Sequence, residues 1–295
     1  MNILISCETG GEDVPRQLVS PDAGTSDASS RHRGELVKLL QSAHELSRHK
    51  RKRPSKKKFA KFGPGQLPNQ LRHDAAARFV SQRMAARLSA PIIENRYSMD
   101  LVDVTRSINH PQLFPILTRH WSAENRQILI DEIHQPHRKR VRKMVDRMLG
   151  LSSYVVHLSI RSFESIAPTR SSTKKATKRS STKKSKAKQK HRRADVGLLY
   201  DVSSVDEVDF SADLYEEMYF EAEMLKVRRN YPRRGTVDSL TKALRSEFDG
   251  QYYIGIEILV NQAWSLRKGS LRNEAIDRMC GSIQAVLQCS QSEAA

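Results

Sequence analysis

The chain is predicted to fold as an α/β protein whose mixed, mainly parallel sheet is flanked by helices on both faces, and three observations predict it. Residues 154–160 (YVVHLSI), 196–200 and 253–260 (YIGIEILV) are short, β-branched and apolar at consecutive positions, as interior strands buried on both faces are. Between them lie longer stretches whose apolar residues recur every three or four positions, the period of a helix packed by one face. Strands alternating with such helices need helices on both sides of the sheet. The 295 residues suit one large domain spanning 1–295, long enough to bury a sizeable core.

In chain order, residues 3–6 form a first buried strand that runs into the turn Cys7-Glu8-Thr9-Gly10-Gly11. A Ser/Asp/Gly-rich loop follows, with a helix expected around Leu36, Leu39, Leu40 and Ala43. From Asp74, the positions Ala76, Phe79, Val80, Met84 and Leu88 give an amphipathic helix that stops before Pro91. Residues 92–93 and 101–104 read as strands. Ser122 can cap a helix through Ile128, Leu129 and Ile133; Pro136 is expected to bend or break it, and Val141, Met144, Val145, Met148 and Leu149 continue the period to Gly150. A last helix carries the stripe Ile276, Met279, Ile283, Val286 and Leu287, whose spacing reads as core packing.

Charge is concentrated rather than spread. The formal net charge is +18, yet residues 48–61 hold nine Lys/Arg and residues 170–193 hold twelve, neither with an acid, which leaves 30 bases against 33 acids elsewhere. The high isoelectric point therefore describes two basic tracts and not a dedicated nucleic-acid-binding surface. The second repeats SSTKK at 171 and 180 and has no large apolar residue, so residues 169–193 read as a disordered Lys/Ser/Thr-rich loop, and 48–61 as a basic insertion. The apolar runs are too short to span a membrane, and the N-terminus lacks the pattern of a secretory signal. Cys7, Cys280 and Cys289 are far apart and in no CxxC pair, which fits a reduced, cytoplasmic setting.

Glu257 stands out chemically, because an acid flanked by Ile256, Ile258, Leu259 and Val260 on a buried strand needs a partner or a raised pKa. It reads as a general base or metal-bound acid, or as one half of an ion pair. Arg228-Arg229-Asn230-Tyr231-Pro232 and Arg233-Arg234-Gly235-Thr236 offer guanidinium forks suited to a carboxylate, or a solvated basic loop. Asp103-Val104-Thr105-Arg106-Ser107 places another acid and arginine at the end of an expected strand.

In order along the chain, LISCETGGEDVP, the helix at Asp74, VDVTRSINHPQLF, PHRKRV, VVHLSIRSF, ADVGLLYD, VRRNYPRRGTVDSLT and YIGIEILVNQ resemble the N-formylglutamate amidohydrolase family. The resemblance implies a zinc-carboxypeptidase-like fold, zinc at the strand ends, and hydrolysis of the amide of a small acidic N-acyl amino acid. By the same resemblance, Glu257 is the general base, Arg106 and Arg229 clamp the substrate carboxylates, and Asn230 and Tyr231 support them.

Two departures bear on the metal. Thr9 and Arg161 stand where the family usually carries histidines that look like metal ligands. Threonine is a poor zinc ligand, and an always-protonated arginine cannot be one. Glu8, Glu12 and His157 are the candidates for a rebuilt site, although a strand histidine is also an ordinary core residue. Alternatively, Arg161 supplies a fixed cation in the metal's place and pairs with Glu257 or Glu12. The readings that follow are an amidohydrolase, a catalytically silent member that binds an acidic ligand, or a protein tethered to nucleic acid or another polyanion through 48–61 and 170–193.

Overall fold

The structure is a computed structural model that describes residues 2–18, 71–165 and 194–292. The helix expected around Leu36 and both basic tracts lie outside the described residues. Six strands, β1 (Ile3–Cys7), β2 (Ile92–Glu94), β3 (Val155–Phe163), β4 (Val196–Leu199), β5 (Val227–Arg229) and β6 (Tyr253–Asn261), form one sheet in the order β2-β1-β3-β6-β4-β5. The first four in that order are mutually parallel; β4 runs antiparallel to β6 and parallel to β5. The sheet is thus mixed and mainly parallel.

Alternation along the strands divides the core. Ile3, Ile5, Val156, Leu158, Ile160, Ile256, Ile258 and Val260 share one cluster with residues of α1 (Ala75–Leu88), α4 (Val205–Glu221) and α6 (Gly269–Ser292). Leu4, Val155 and Tyr253 form a second with Val141, Val145 and Met148 of α3 (Gln135–Leu149) and Leu240 and Leu244 of α5 (Leu240–Glu247). The α6 stripe from Ile276 to Leu287 is buried, as core packing requires.

Local chemistry sets the helix ends. Asp74 caps α1 by accepting from the Ala77 amide at 3.0 Å, and Ser122 caps α2 (Ala123–Leu129) by accepting from the Asn125 amide at 3.3 Å. The long connection does not break at Pro136. A π-turn over Ile130–His134, in which the Gln135 amide bonds the Ile130 carbonyl, precedes α3 and leaves Pro136 in its first turn. Proline has no N–H to offer there and needs none.

Other details differ from expectation. Residues 101–104 are turn and coil; Leu101, Val102 and Val104 are buried in a satellite core with Leu129 and Ile133, which explains their strand-like apolarity. Phe79 is exposed under the Arg272 guanidinium, 5.1 Å from the ring centre.

A close approach fixes the β4 end of the sheet. A Cβ on Gly197 would lie 1.8 Å from the Tyr231 carbonyl oxygen. Gly197→Ala is therefore expected to cost about 1–3 kcal/mol, read from the urea midpoint. An unchanged midpoint would mean the loop moves aside freely.

Candidate active site

Strand register lines up Ser6, Ser159, Glu257 and Leu199 across β1, β3, β6 and β4. They lie on the face covered by α3 and α5, where apolar side chains give way to polar ones near the C-terminal ends of the parallel strands. Ligands of open α/β sheets bind at such ends.

Glu257 is 1% exposed. Its Oε2 forms a close ion pair with Arg233 Nη2 and lies 3.7 Å from Arg161 Nη1, while Oε1 accepts from Thr241 Oγ1 at 3.1 Å. Thr241 is in turn bonded to Ser239 Oγ at 3.0 Å, at the start of α5. Burial pulls the Arg161 guanidinium toward neutrality, but Glu257, Asp103, Glu8 and Asp74 outweigh it and hold its pKa above the ordinary value. For Arg233 burial prevails over Glu257, with Arg161 and Arg106 adding repulsion, and the pKa falls. Two guanidiniums thus engage one buried carboxylate, and a third lies close enough to repel Arg233.

A second polar group runs beneath. Ser6 Oγ donates to Glu8 Oε1, and Ser159 Oγ donates to Glu8 Oε2 at 2.9 Å. With its single proton committed, Ser6 Oγ accepts from His157 Nε2 at 2.7 Å, so His157 Nδ1 carries the lone pair and accepts from Tyr253 Oη at 2.7 Å. Burial, assisted by Arg245, pushes His157 down to about 3, in keeping with this neutral tautomer. Burial raises the Glu8 pKa against the opposing pull of Ser6, Arg161 and Ser159. Beside it, burial and then Glu8 push the Cys7 thiol up to about 12, which excludes a thiolate nucleophile at neutral pH.

The remaining sequence candidates separate into two groups. Thr9 Oγ1 donates to Asp74 Oδ2 at 3.2 Å, which also accepts from the Ser162 amide and hydroxyl at 3.0 and 2.8 Å, so Asp74 brackets the ends of β1 and β3 against α1. Glu12 does not join Glu8 and His157: its side chain is 56% exposed and faces His73 and Arg78, each at 3.8 Å, so it is not the partner of Arg161 either. Arg106 sits on a loop held by α3 and the π-turn, since His134 Nε2 donates to its carbonyl at 2.8 Å and Arg138 Nη1 to the same oxygen at 3.2 Å. Its own Nη1 bonds the Asp238 carbonyl at 3.0 Å.

Arg229 is not brought to Glu257. It pairs in register with Leu198, whose side chain belongs to the opposite core, and its guanidinium lies 5.4 Å from the Tyr215 ring centre on α4. Asn230, at φ 48°, turns the chain: its Oδ1 accepts from the Gly235 amide at 2.8 Å and the Tyr200 amide at 3.4 Å. Tyr231 packs edge-on against Phe163, 5.8 Å between centres. That turn delivers Arg233, which the sequence shows only as one of several arginines in a basic loop. Ser6 and Ser159 had one legible signal, a polar residue inside an apolar run.

These residues do not fit the zinc that the resemblance implies. Among the described residues no three His, Cys, Asp or Glu side chains gather as a ligand set. Both Glu8 oxygens and both His157 nitrogens are hydrogen-bonded internally, and Arg161 directs a cation toward Glu257. A metal there would have to displace those bonds and face a fixed positive charge.

A sequence profile of the N-formylglutamate amidohydrolase family matches residues 56–262. Gene product Atu2144 of Agrobacterium tumefaciens superposes over 98% of this chain and 92% of its own, with 15% identity and a TM-score of 0.63. N-formylglutamate amidohydrolase of Ralstonia eutropha JMP134 does so over 99% and 94%, with 11% identity and a TM-score of 0.59. At such identities the likeness is one of fold. No curated protein matches the chain in sequence. Among the described residues no helix is long and apolar enough to cross a membrane. The fold agrees with the profile, which covers more than half of the sequence: the chain belongs to the N-formylglutamate amidohydrolase family.

Proposed function

We propose that this chain is a catalytically silent family member that binds a small acidic amino-acid-like ligand at Arg106, Arg161 and Arg233. The observation that carries the reading is the fork Arg161–Glu257–Arg233: a guanidinium stands where the resemblance implies a metal ligand, and the carboxylate it implies as general base is engaged by both arginines and Thr241. A water would have to compete with these donors for the carboxylate's lone pairs.

Ligand binding is supported by the donors that remain. Among the described residues Arg233 Nη1 and Arg106 Nε are buried without a hydrogen-bond partner, in side chains that are 24% and 21% exposed, so each arginine keeps a donor that its neighbours in the fold do not use. Guanidiniums so placed suit a carboxylate. Against them stand Glu257 and Asp103, so the local balance favours a small anion over a highly charged one.

Calorimetry with glutamate and N-formylglutamate, followed by a formate assay with and without added zinc, tests the reading. Saturable binding with no formate is expected, and Arg233→Ala is expected to weaken binding at least tenfold, or about 1.4 kcal/mol. Formate release together with about one retained zinc per chain would overturn the silent reading in favour of an amidohydrolase with a rebuilt ligand set. Absence of binding would overturn the ligand.

A further inference from the structure

Two helices on opposite faces of the sheet differ sharply in charge. Helix α3 (QPHRKRVRKMVDRML) carries six Lys/Arg and one acid, on the site face of the sheet. Helix α4 (VDEVDFSADLYEEMYFE), on the other face, carries seven acids and no Lys/Arg. All of the α3 cations except Arg138 are exposed. Among the described residues Lys139, Lys143 and Arg147 have no salt bridge, whereas Arg142 pairs with Glu247.

Two grooves flank this helix. One, of about 370 Å³, lies toward β2 and is lined by Arg140, Lys143 and Arg147. The other, of about 490 Å³, lies toward α5 and is lined by Arg138, Lys139 and Arg142. One acid lines each groove, and both are engaged: Glu94 accepts from Gln82 at 3.0 Å, and Glu247 pairs with Arg142. The helix is therefore a ridge with exposed cations on both flanks, Arg140, Lys143 and Arg147 on one and Lys139 and Arg142 on the other, while Arg138 is held at the Arg106 loop.

We propose that α3 docks on the phosphate backbone of duplex nucleic acid. A helix with its side chains is about 10–12 Å across, close to the roughly 12 Å major groove whose edges are lined with phosphates. Cations on both flanks meet that arrangement. A lipid surface fits less well, because the apolar stripe of α3, Val141, Val145 and Met148, is buried against the sheet and has nothing to insert. The cations meet phosphates, so binding is blind to sequence and steep in salt.

The test uses the full chain, so that its Lys-rich tracts stay constant. Binding of a labelled 20-base-pair duplex is followed by fluorescence anisotropy across a salt series, for the parent and for Lys139→Gln/Lys143→Gln/Arg147→Gln. The slope of log K against log salt is expected to become shallower by about 2–3, at about 0.9 for each phosphate no longer neutralised, with an unchanged melting temperature. The control Arg119→Gln/Lys226→Gln/Lys268→Gln, three exposed cations outside α3, is expected to keep the parent slope. An unchanged slope in the α3 variant overturns the proposal. So does a variant that loses only its binding to phosphatidylserine vesicles, or only a salt-dependent self-association through α3 and the acidic α4 of a second copy.

Discussion

Arg245→Ala is expected to destabilise the fold by about 3–5 kcal/mol, the cost of removing one partner from a buried ion pair. Glu207, fully buried on α4, accepts from Arg245 Nε, from the Gly255 amide at 2.9 Å and from the Asp201 amide at 2.7 Å. Arg245 also donates to the Gly235 carbonyl at 3.0 Å and the Gly255 carbonyl at 2.6 Å. One side chain on α5 thus ties together α4, β6 and the loop that carries Arg233. Burial pushes the Glu207 carboxyl upward and Arg245 opposes it, so without the arginine the acid is left uncompensated and two carbonyls go without their donor. Glu207→Gln/Arg245→Met, which removes both charges and keeps an acceptor for one of the two amides, is expected to cost less than Arg245→Ala alone. Urea denaturation of both variants checks this, and a loss below about 1 kcal/mol for Arg245→Ala would contradict the pair's role.

Acid is expected to have an effect of similar size. His137 and His157 are 1% and 0% exposed, and burial holds each at about 3 in the folded chain against an ordinary 6.5. A folded pKa below the unfolded one means that the folded state takes up fewer protons. The contribution is therefore complete above pH 6.5 and lost progressively as the pH falls toward 3. Each histidine removes about 1.4 kcal/mol per pH unit in that window, so together they remove roughly 5 kcal/mol between pH 6.5 and 4.5. Glu8 and Glu207 act in the opposite sense, because their raised folded pKa values bind protons that the unfolded chain does not, and the net slope falls below two protons.

His137 separates the contributions. Among the described residues neither of its ring nitrogens has a hydrogen-bond partner, so His137→Leu breaks none of the bonds described. It is expected to leave neutral stability unchanged or raised and to lower the acid slope by about 1.4 kcal/mol per pH unit. Unfolding free energies from pH 7.5 to 4.5 for parent and variant provide the measurement. Parallel curves would show that His137 takes no part in the acid transition.

The alternation of apolar strands and amphipathic helices was legible because side-chain period is a local property of the chain, and it yielded the α/β class, all four interior strands and the buried position of Glu257. The ordered blocks likewise pointed to the family, since each is a continuous run of residues. Residues 101–104 misled for the same reason: burial under a satellite core makes coil as apolar as strand.

Which arginine meets Glu257 was decided only in three dimensions. Arg229 and Arg233 stand in one basic loop and are equivalent as sequence. Pairing of β5 with β4 turns Arg229 onto the α4 face, while the positive φ of Asn230 and its bonds to Gly235 and Tyr200 bring Arg233 back over β6. The internal bonds of His157, Ser6 and Glu8 also cross two parallel strands distant in sequence, 151 residues apart at Ser6 and His157. By itself the sequence determined the fold class, the family and the presence of a buried acid. Register and loop closure, set by contacts between remote segments, decided what surrounds that acid, because local periodicity fixes the face a residue takes on its own strand but not the partner it meets there.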